Sequence, residues 1–205
     1  MRLVRLIGVG LLALISCPPA IAQQGGFNAL LAGGAARSIG NTFGGFNGGG
    51  TWSPHVSLRA RYTFNGGLIL GILTEVTQIR FEGRAPNYPK EQAFLANPLY
   101  GIGLTIGSSE YLGKRMRMSY MLDIGGALIE KSTLLGKEET RGAFVIGGDL
   151  HYEYLLGKDL SLVGIGGIRS YWIKPGNRPI TPFAGGNGQF GVLAFPLMLG
   201  VKYNL

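Results

Sequence analysis

The sequence predicts an all-β fold: an eight-stranded antiparallel up-and-down β-barrel of the transmembrane kind. Three observations predict it. From Phe27 onward apolar residues recur at every second position, the period of a strand and not of a helix. Eight such runs are separated by connections that alternate between short and long. The last run keeps one face apolar to its final residue. Composition agrees. A chain of 205 residues with 46% hydrophobic residues suits one domain and is too apolar to be disordered. Its 36 glycines follow no three-residue period, which excludes collagen. Outside the N-terminus the longest run without a polar residue is 190–201, short of the roughly 18 to 20 that a membrane-spanning helix needs.

Residues 1–22 are expected to be an export signal. Arg2 and Arg5 precede an apolar run from Leu6 to Ile15, and Ala20-Ile21-Ala22 forms a small-x-small cleavage site before Gln23. Leu14-Ile15-Ser16-Cys17 resembles a lipoprotein box ending on Cys17, with Pro18 directly after it. Cleavage after Ala22 leaves residues 23–205 as the barrel domain. That domain has no cysteine, and without Arg2 and Arg5 it holds 17 basic and 11 acidic residues, a formal charge of +6. With no disulfide to strengthen a small exported core, closure of a sheet on itself is the expected source of stability.

The expected strands are 27–38, 53–64, 67–81, 98–107, 114–129, 142–154, 160–173 and 189–205. Most reach the ~9 to 11 residues that cross a bilayer at a tilt. The second turns into the third through Asn65-Gly66, which suits the positive φ of a tight hairpin. Residues 108–113 and 155–159 are the other short turns, and Gly157 can supply a positive φ in the latter. The stretches 39–52, 82–97, 130–141 and 174–188 are expected to be long loops on the opposite side. In the second strand Val56, Leu58, Ala60, Tyr62 and Phe64 alternate with His55, Ser57, Arg59, Arg61 and Thr63. In the fifth, Met116, Met118, Tyr120, Leu122 and Ile124 alternate with Arg115, Arg117, Ser119, Met121 and Asp123. The sixth sets Ile146, Leu150, Tyr152 and Tyr154 against Asp149, His151 and Glu153. In the third, Glu75 and Arg80 share a face only if a bulge intervenes.

The eighth strand is the clearest. Leu193, Phe195, Leu197, Leu199, Val201, Tyr203 and Leu205 fill one face, and Ala194, Pro196, Met198, Gly200, Lys202 and Asn204 the other. On these residues the chain resembles small eight-stranded bacterial outer-membrane barrel proteins of the surface-antigen and porin-like kind, whose terminal strand ends in a hydrophobic, aromatic-containing assembly signal. The resemblance assigns that signal to Leu199, Val201, Tyr203 and Leu205, with Leu205 where phenylalanine is commonest. It implies export to the outer membrane of a Gram-negative bacterium and insertion by the barrel-assembly machinery. It implies a non-enzymatic role in envelope integrity, adhesion or host contact.

If the apolar faces meet lipid, then Arg59, Arg61, Glu75, Arg115, Arg117, Asp123, Asp149, His151, Glu153, Arg169 and Lys202 point inward as a lumen polar network of both signs. Gly125, Gly167, Gly101 and Gly103 are expected on the same face, leaving room for arginine. Trp52, Tyr88, Tyr100, Tyr111, Tyr154, Tyr171, Trp172 and Tyr203 are expected at the membrane interfaces. Arg84, Lys90, Lys131, Lys137, Arg141, Lys174 and Arg178 would face lipopolysaccharide phosphates, making outer-membrane lipids and lipopolysaccharide the expected partners. The basic residues are spread along strands and loops instead of forming a patch, so nucleic acid is not an expected partner. No cofactor and no metal are expected. Asp149-x-His151-x-Glu153 has ligand chemistry, but neighbours on one strand face lie ~7 Å apart.

Two other functions remain open from sequence. His55-Val56-Ser57 is similar to the His-x-Ser element of lipid A deacylases, with Leu58 where that family has asparagine and a position early in the chain. It makes a lipid A-modifying enzyme with His55 and Ser57 in catalysis one alternative. A periplasmic barrel holding a lipophilic ligand is another.

Overall fold

The computed structural model describes residues 25–40, 47–84, 92–134, 137–173 and 190–205. The expected export signal 1–22, including Cys17, lies outside them, as do Tyr88, Lys90, Lys174 and Arg178. The described chain is a closed barrel of eight antiparallel strands in sequence order: β1 (Gly26–Gly40), β2 (Asn47–Thr63), β3 (Leu68–Arg84), β4 (Gln92–Tyr111), β5 (Met116–Leu134), β6 (Lys137–Leu155), β7 (Leu160–Ile173) and β8 (Phe190–Asn204). β8 closes on β1, with Asn28 opposite Asn204 and Gly40 opposite Val192. Every interior strand edge is therefore paired, which satisfies the backbone where no water can.

The wall is inverted relative to a soluble protein. Leu104 is 71% exposed, Leu199 69% and Ile102 64%, while Arg59, Arg169 and Lys202 are fully buried. The alternation read from β2, β6 and β8 maps onto outside and inside as expected. Trp52 and Tyr62, ten residues apart on β2, stand at the two ends of the apolar band. At a rise of about 3.3 Å per residue and a tilt near 40° the band is about 25 Å tall, the height of an outer-membrane hydrocarbon layer. At the lower rim Phe27, Tyr62 and Phe64 stack edge to face with centroids 4.8 Å apart.

The three short turns lie with the termini at one end. In the first, Gly67 N donates to Phe64 O (3.0 Å) and Phe64 N to Leu68 O (2.7 Å). Its positive-φ glycines are Gly66 (98°) and Gly67 (91°), and a β-carbon on Gly67 would also collide with the Ser109 carbonyl. The second turn is 112–115, not 108–113, because β4 continues to Tyr111. Leu205 N donates to Phe27 O (2.9 Å), fixing the end of the chain at this rim.

At the other end the strands outrun the expected ones. β2 begins at Asn47, β4 at Gln92 and β6 at Lys137, and β5 runs to Leu134, so much of 39–52, 82–97 and 130–141 is paired strand instead of loop. The pairing shifts register there, between Arg37 and Ile39, Gly50 and His55, Thr77 and Ile79, and Ile129 and Ser132. Pro54 and Pro98, which cannot donate to a ladder, fall inside two of these shifts. The shift between Thr77 and Ile79 places its extra residue on β4, between Ala96 and Leu99, and β3 keeps its alternation through the buried Glu75, Thr77 and Ile79, so the bulge expected between Glu75 and Arg80 is not found on β3 up to Ile79. Such extensions are polar and bulged, so alternation does not reveal them.

Candidate functional site

The lumen is built in layers, each from inward-facing residues at one height. Nearest the termini, Glu153 on β6 gathers three cations: Arg117 of β5 (Nε to Oε2, 3.1 Å), Arg61 of β2 (Nη2 to Oε1, 3.5 Å) and Lys202 of β8. Arg61 also donates from Nε to Asn28 Oδ1 (2.9 Å) and lies 3.2 Å from His151 Nδ1. In the middle layer Arg59 grips Asp123 with two parallel bonds (3.1 and 3.0 Å) and also pairs with Asp149. Arg169 Nη2 reaches the same two carboxylates at 2.8 and 2.6 Å. Two arginines and two aspartates thus neutralise each other in a closed square. Above it, Glu75 accepts from Tyr171 Oη (2.9 Å) and Arg169 Nε (3.3 Å), with His55 Nε2 at 3.5 Å.

Toward the loops the lumen turns apolar. Ala36, Ile79, Leu99, Ile129, Ala143, Val145, Tyr171, Ile173, Val192 and Ala194 form one buried cluster contributed by seven of the eight strands. A smaller cluster, Leu30, Ala32, Val163, Ile165 and Met198, lines the wall where β7, β8 and β1 meet. Alternation showed which residues face inward but gave no height, so this apolar half was missed.

Ten of the eleven residues expected in the lumen network are buried there. The exception is Arg115, which sits exposed in the turn 112–115, one residue before β5 begins. Two expected interface aromatics are also inside. Tyr171 is fully buried on Glu75, and Tyr111 faces the lower mouth with the Arg117 guanidinium 6.0 Å above its ring. Both share the phase of inward neighbours, Arg169 and Ser109, and that signal could have placed them. The glycines do leave room for side chains, but mostly not arginine: a β-carbon on Gly101 would lie 2.6 Å from Glu75 Cγ, and one on Gly167 would collide with the Asp149 carboxylate. Glycines that accommodate an arginine are Gly147, against Arg169, and Gly71, where a β-carbon would lie 2.9 Å from Arg61 Cγ. Gly103 and Gly125 face each other across β4 and β5, and each is crowded by backbone.

His55 and Ser57 are both buried in the lumen. Ser57 Oγ donates to Met198 Sδ (3.7 Å), while His55 is turned to Glu75. They are not joined as nucleophile and base. Asp149, His151 and Glu153 do not converge as ligands, because the two carboxylates are held by arginine and lysine in separate layers. Of the loop cations, Arg84, Lys131, Lys137 and Arg141 belong to strands.

A closed eight-stranded barrel, apolar without and charged within, defines the class: a small transmembrane β-barrel protein. No protein-family model matches the chain, and no curated protein matches it. Among solved structures it is similar to neisserial surface protein A, at 16% identity over 89% of this chain and 100% of that one, with a TM-score of 0.54. It is also similar to Ail, the attachment invasion locus protein of Yersinia pestis (13% identity, 89% and 100% covered, TM-score 0.46). A third is OprG of Pseudomonas aeruginosa (10% identity, 88% and 96% covered, TM-score 0.47). The chain thus resembles small bacterial outer-membrane surface proteins, and at these identities the likeness is one of fold.

Proposed function

We propose that this chain is a non-enzymatic outer-membrane protein whose barrel anchors surface connections for envelope integrity, adhesion or host contact. The observation that carries the reading is the occupied middle and upper lumen: arginine–carboxylate layers with an apolar cluster above them leave the barrel as a support for the connections at that end. The shared fold with neisserial surface protein A, a surface protein by name, accords with this reading. Residues 1–22 direct export, Leu199, Val201, Tyr203 and Leu205 present the C-terminal strand to the assembly machinery, and lipopolysaccharide is the lipid partner of the outer rim. His55 and Ser57 serve the lumen and not catalysis, since both are sealed from lipid by the wall.

The test exchanges residues 174–189 for a short Gly-Ser connection in a strain that attaches to host cells. Attachment is expected to fall while the folded, heat-modifiable barrel and the lipid A mass profile stay unchanged. Full attachment without this connection, or a lipid A mass that changes with the protein and reverts in His55→Ala, overturns the reading.

A further inference from the structure

The two mouths of the lumen differ. The loop-bearing half is filled by the apolar cluster, whereas the terminus-bearing end widens into a cavity of about 610 Å³ whose lining includes Asn28, Thr63, Tyr111, Arg117, Lys158 and Asn204. The layer behind it is unbalanced: Arg61, Arg117 and Lys202 face the single carboxylate of Glu153, a surplus of two positive charges. The next acids, Asp123 and Asp149, are already held by Arg59 and Arg169. Donors are left over as well. Arg61 Nη2 stands at a long 3.5 Å from Glu153 Oε1, and the fully buried hydroxyls of Ser119 and Ser161 have no hydrogen-bond partner among the described residues. Ser161 is opposite Lys202 in register, and Ser119 follows Arg117 on the inward face of β5. At the rim Lys158 and Asp159 offset one another, and the Leu205 α-carboxylate is exposed to solvent and salt. The buried surplus is far less screened, and the apolar wall focuses its field into the cavity.

We propose that this cavity binds a phosphate group, with Arg117 as the direct contact, Asn28, Thr63 and Asn204 as neutral partners, and Arg61 and Lys202 supplying charge from behind. The surplus of two charges matches the dianion of free phosphate and more than balances the monoanionic diester of a phospholipid headgroup, and a guanidinium flanked by amides and a hydroxyl suits the several acceptor oxygens of either. The source is free phosphate or the headgroup of a phospholipid. This inference is independent of the adhesive reading, because it concerns the opposite end of the barrel and is tested without cells.

The experiment titrates inorganic phosphate, and in parallel dihexanoyl phosphatidylglycerol, into the full chain folded in zwitterionic detergent at constant ionic strength. Amide shifts of Asn28, Arg117 and Asn204 are followed by NMR. Saturable shifts are expected, weaker by about tenfold in Arg117→Gln, as loss of one charged hydrogen bond implies. Glu153→Gln, which raises the surplus to three, is expected to bind more tightly. Lys158→Ser leaves the lumen intact and should weaken binding by about twofold, so the proposal stays testable if a lumen variant fails to fold. Shifts with both probes assign the site to free phosphate, and with the lipid alone to a headgroup. No saturable shift with either probe, or equal affinity in wild type and all three variants, overturns the proposal.

Discussion

Gly147 shows how closely the wall is fitted to the charges it encloses. A β-carbon there would stand 2.7 Å from Arg169 Cδ and collide with Nη1, the side chain that ties Asp123, Asp149 and Glu75 together. Gly147→Val should therefore destabilise the barrel by about 1–3 kcal/mol through overpacking, read as a lower urea midpoint in detergent. Removing Asp149 leaves Arg59 and Arg169 sharing only Asp123 in the middle layer, a loss of about 3–5 kcal/mol for a broken buried pair. Asp149→Asn keeps the shape and removes only the charge, so a midpoint equal to wild type would show that the square contributes nothing. At this scale the sequence was informative about direction and silent about partners. Arg59 and Arg61 were placed inside by alternation with Leu58 and Tyr62, but nothing local pairs Glu75 with Arg169 and Tyr171, 94 and 96 residues away. Arg115 falls outside the lumen because β5 starts at Met116, two residues later than the expected 114.

Among the elements, β8 was the most legible, since lipid imposes an unbroken apolar face on it and β1 and β7 flank it on both sides. Leu199 pairs with Gly33, which pairs with Val56 of β2, well inside the span from Trp52 to Tyr62, so its side chain meets lipid near the bilayer midplane. Leu199→Arg should cost about 2–4 kcal/mol, whereas the same change at Tyr203, at the rim, should cost about 0–1 kcal/mol. Unfolding titrations in lipid vesicles measure both, and equal costs would contradict the assigned depth. The upper extensions of β2, β4, β5 and β6 were illegible for a physical reason. They are rich in glycine and polar residues, so no apolar period marks them, and bulges at Pro54 and Pro98 break the period beside them.

For the whole molecule, closure and the sealed upper lumen act together. A closed sheet leaves no unpaired edge in the membrane, and Leu99, Ile129, Val145 and Tyr171 occupy the path that ions would take. The protein in a planar bilayer should show no steady conductance, and a Leu99→Ser/Ile129→Ser double variant should admit water and raise ion leakage. Steady current through the unmodified barrel would contradict the seal. The eight-strand closure was readable from the even number of alternating runs and the short and long connections. The division of the lumen into charged and apolar halves was not, because it depends on strand stagger, which sets which residues share a height.

The inverted barrel is best tested by membrane fractionation followed by electrophoresis of unheated and boiled samples. A closed hydrogen-bonded wall resists detergent until heat opens it, so the expected result is a protein in the outer-membrane fraction whose unheated band migrates differently from the boiled one. A protein released with the soluble fraction, with one mobility before and after boiling, would contradict the inverted barrel.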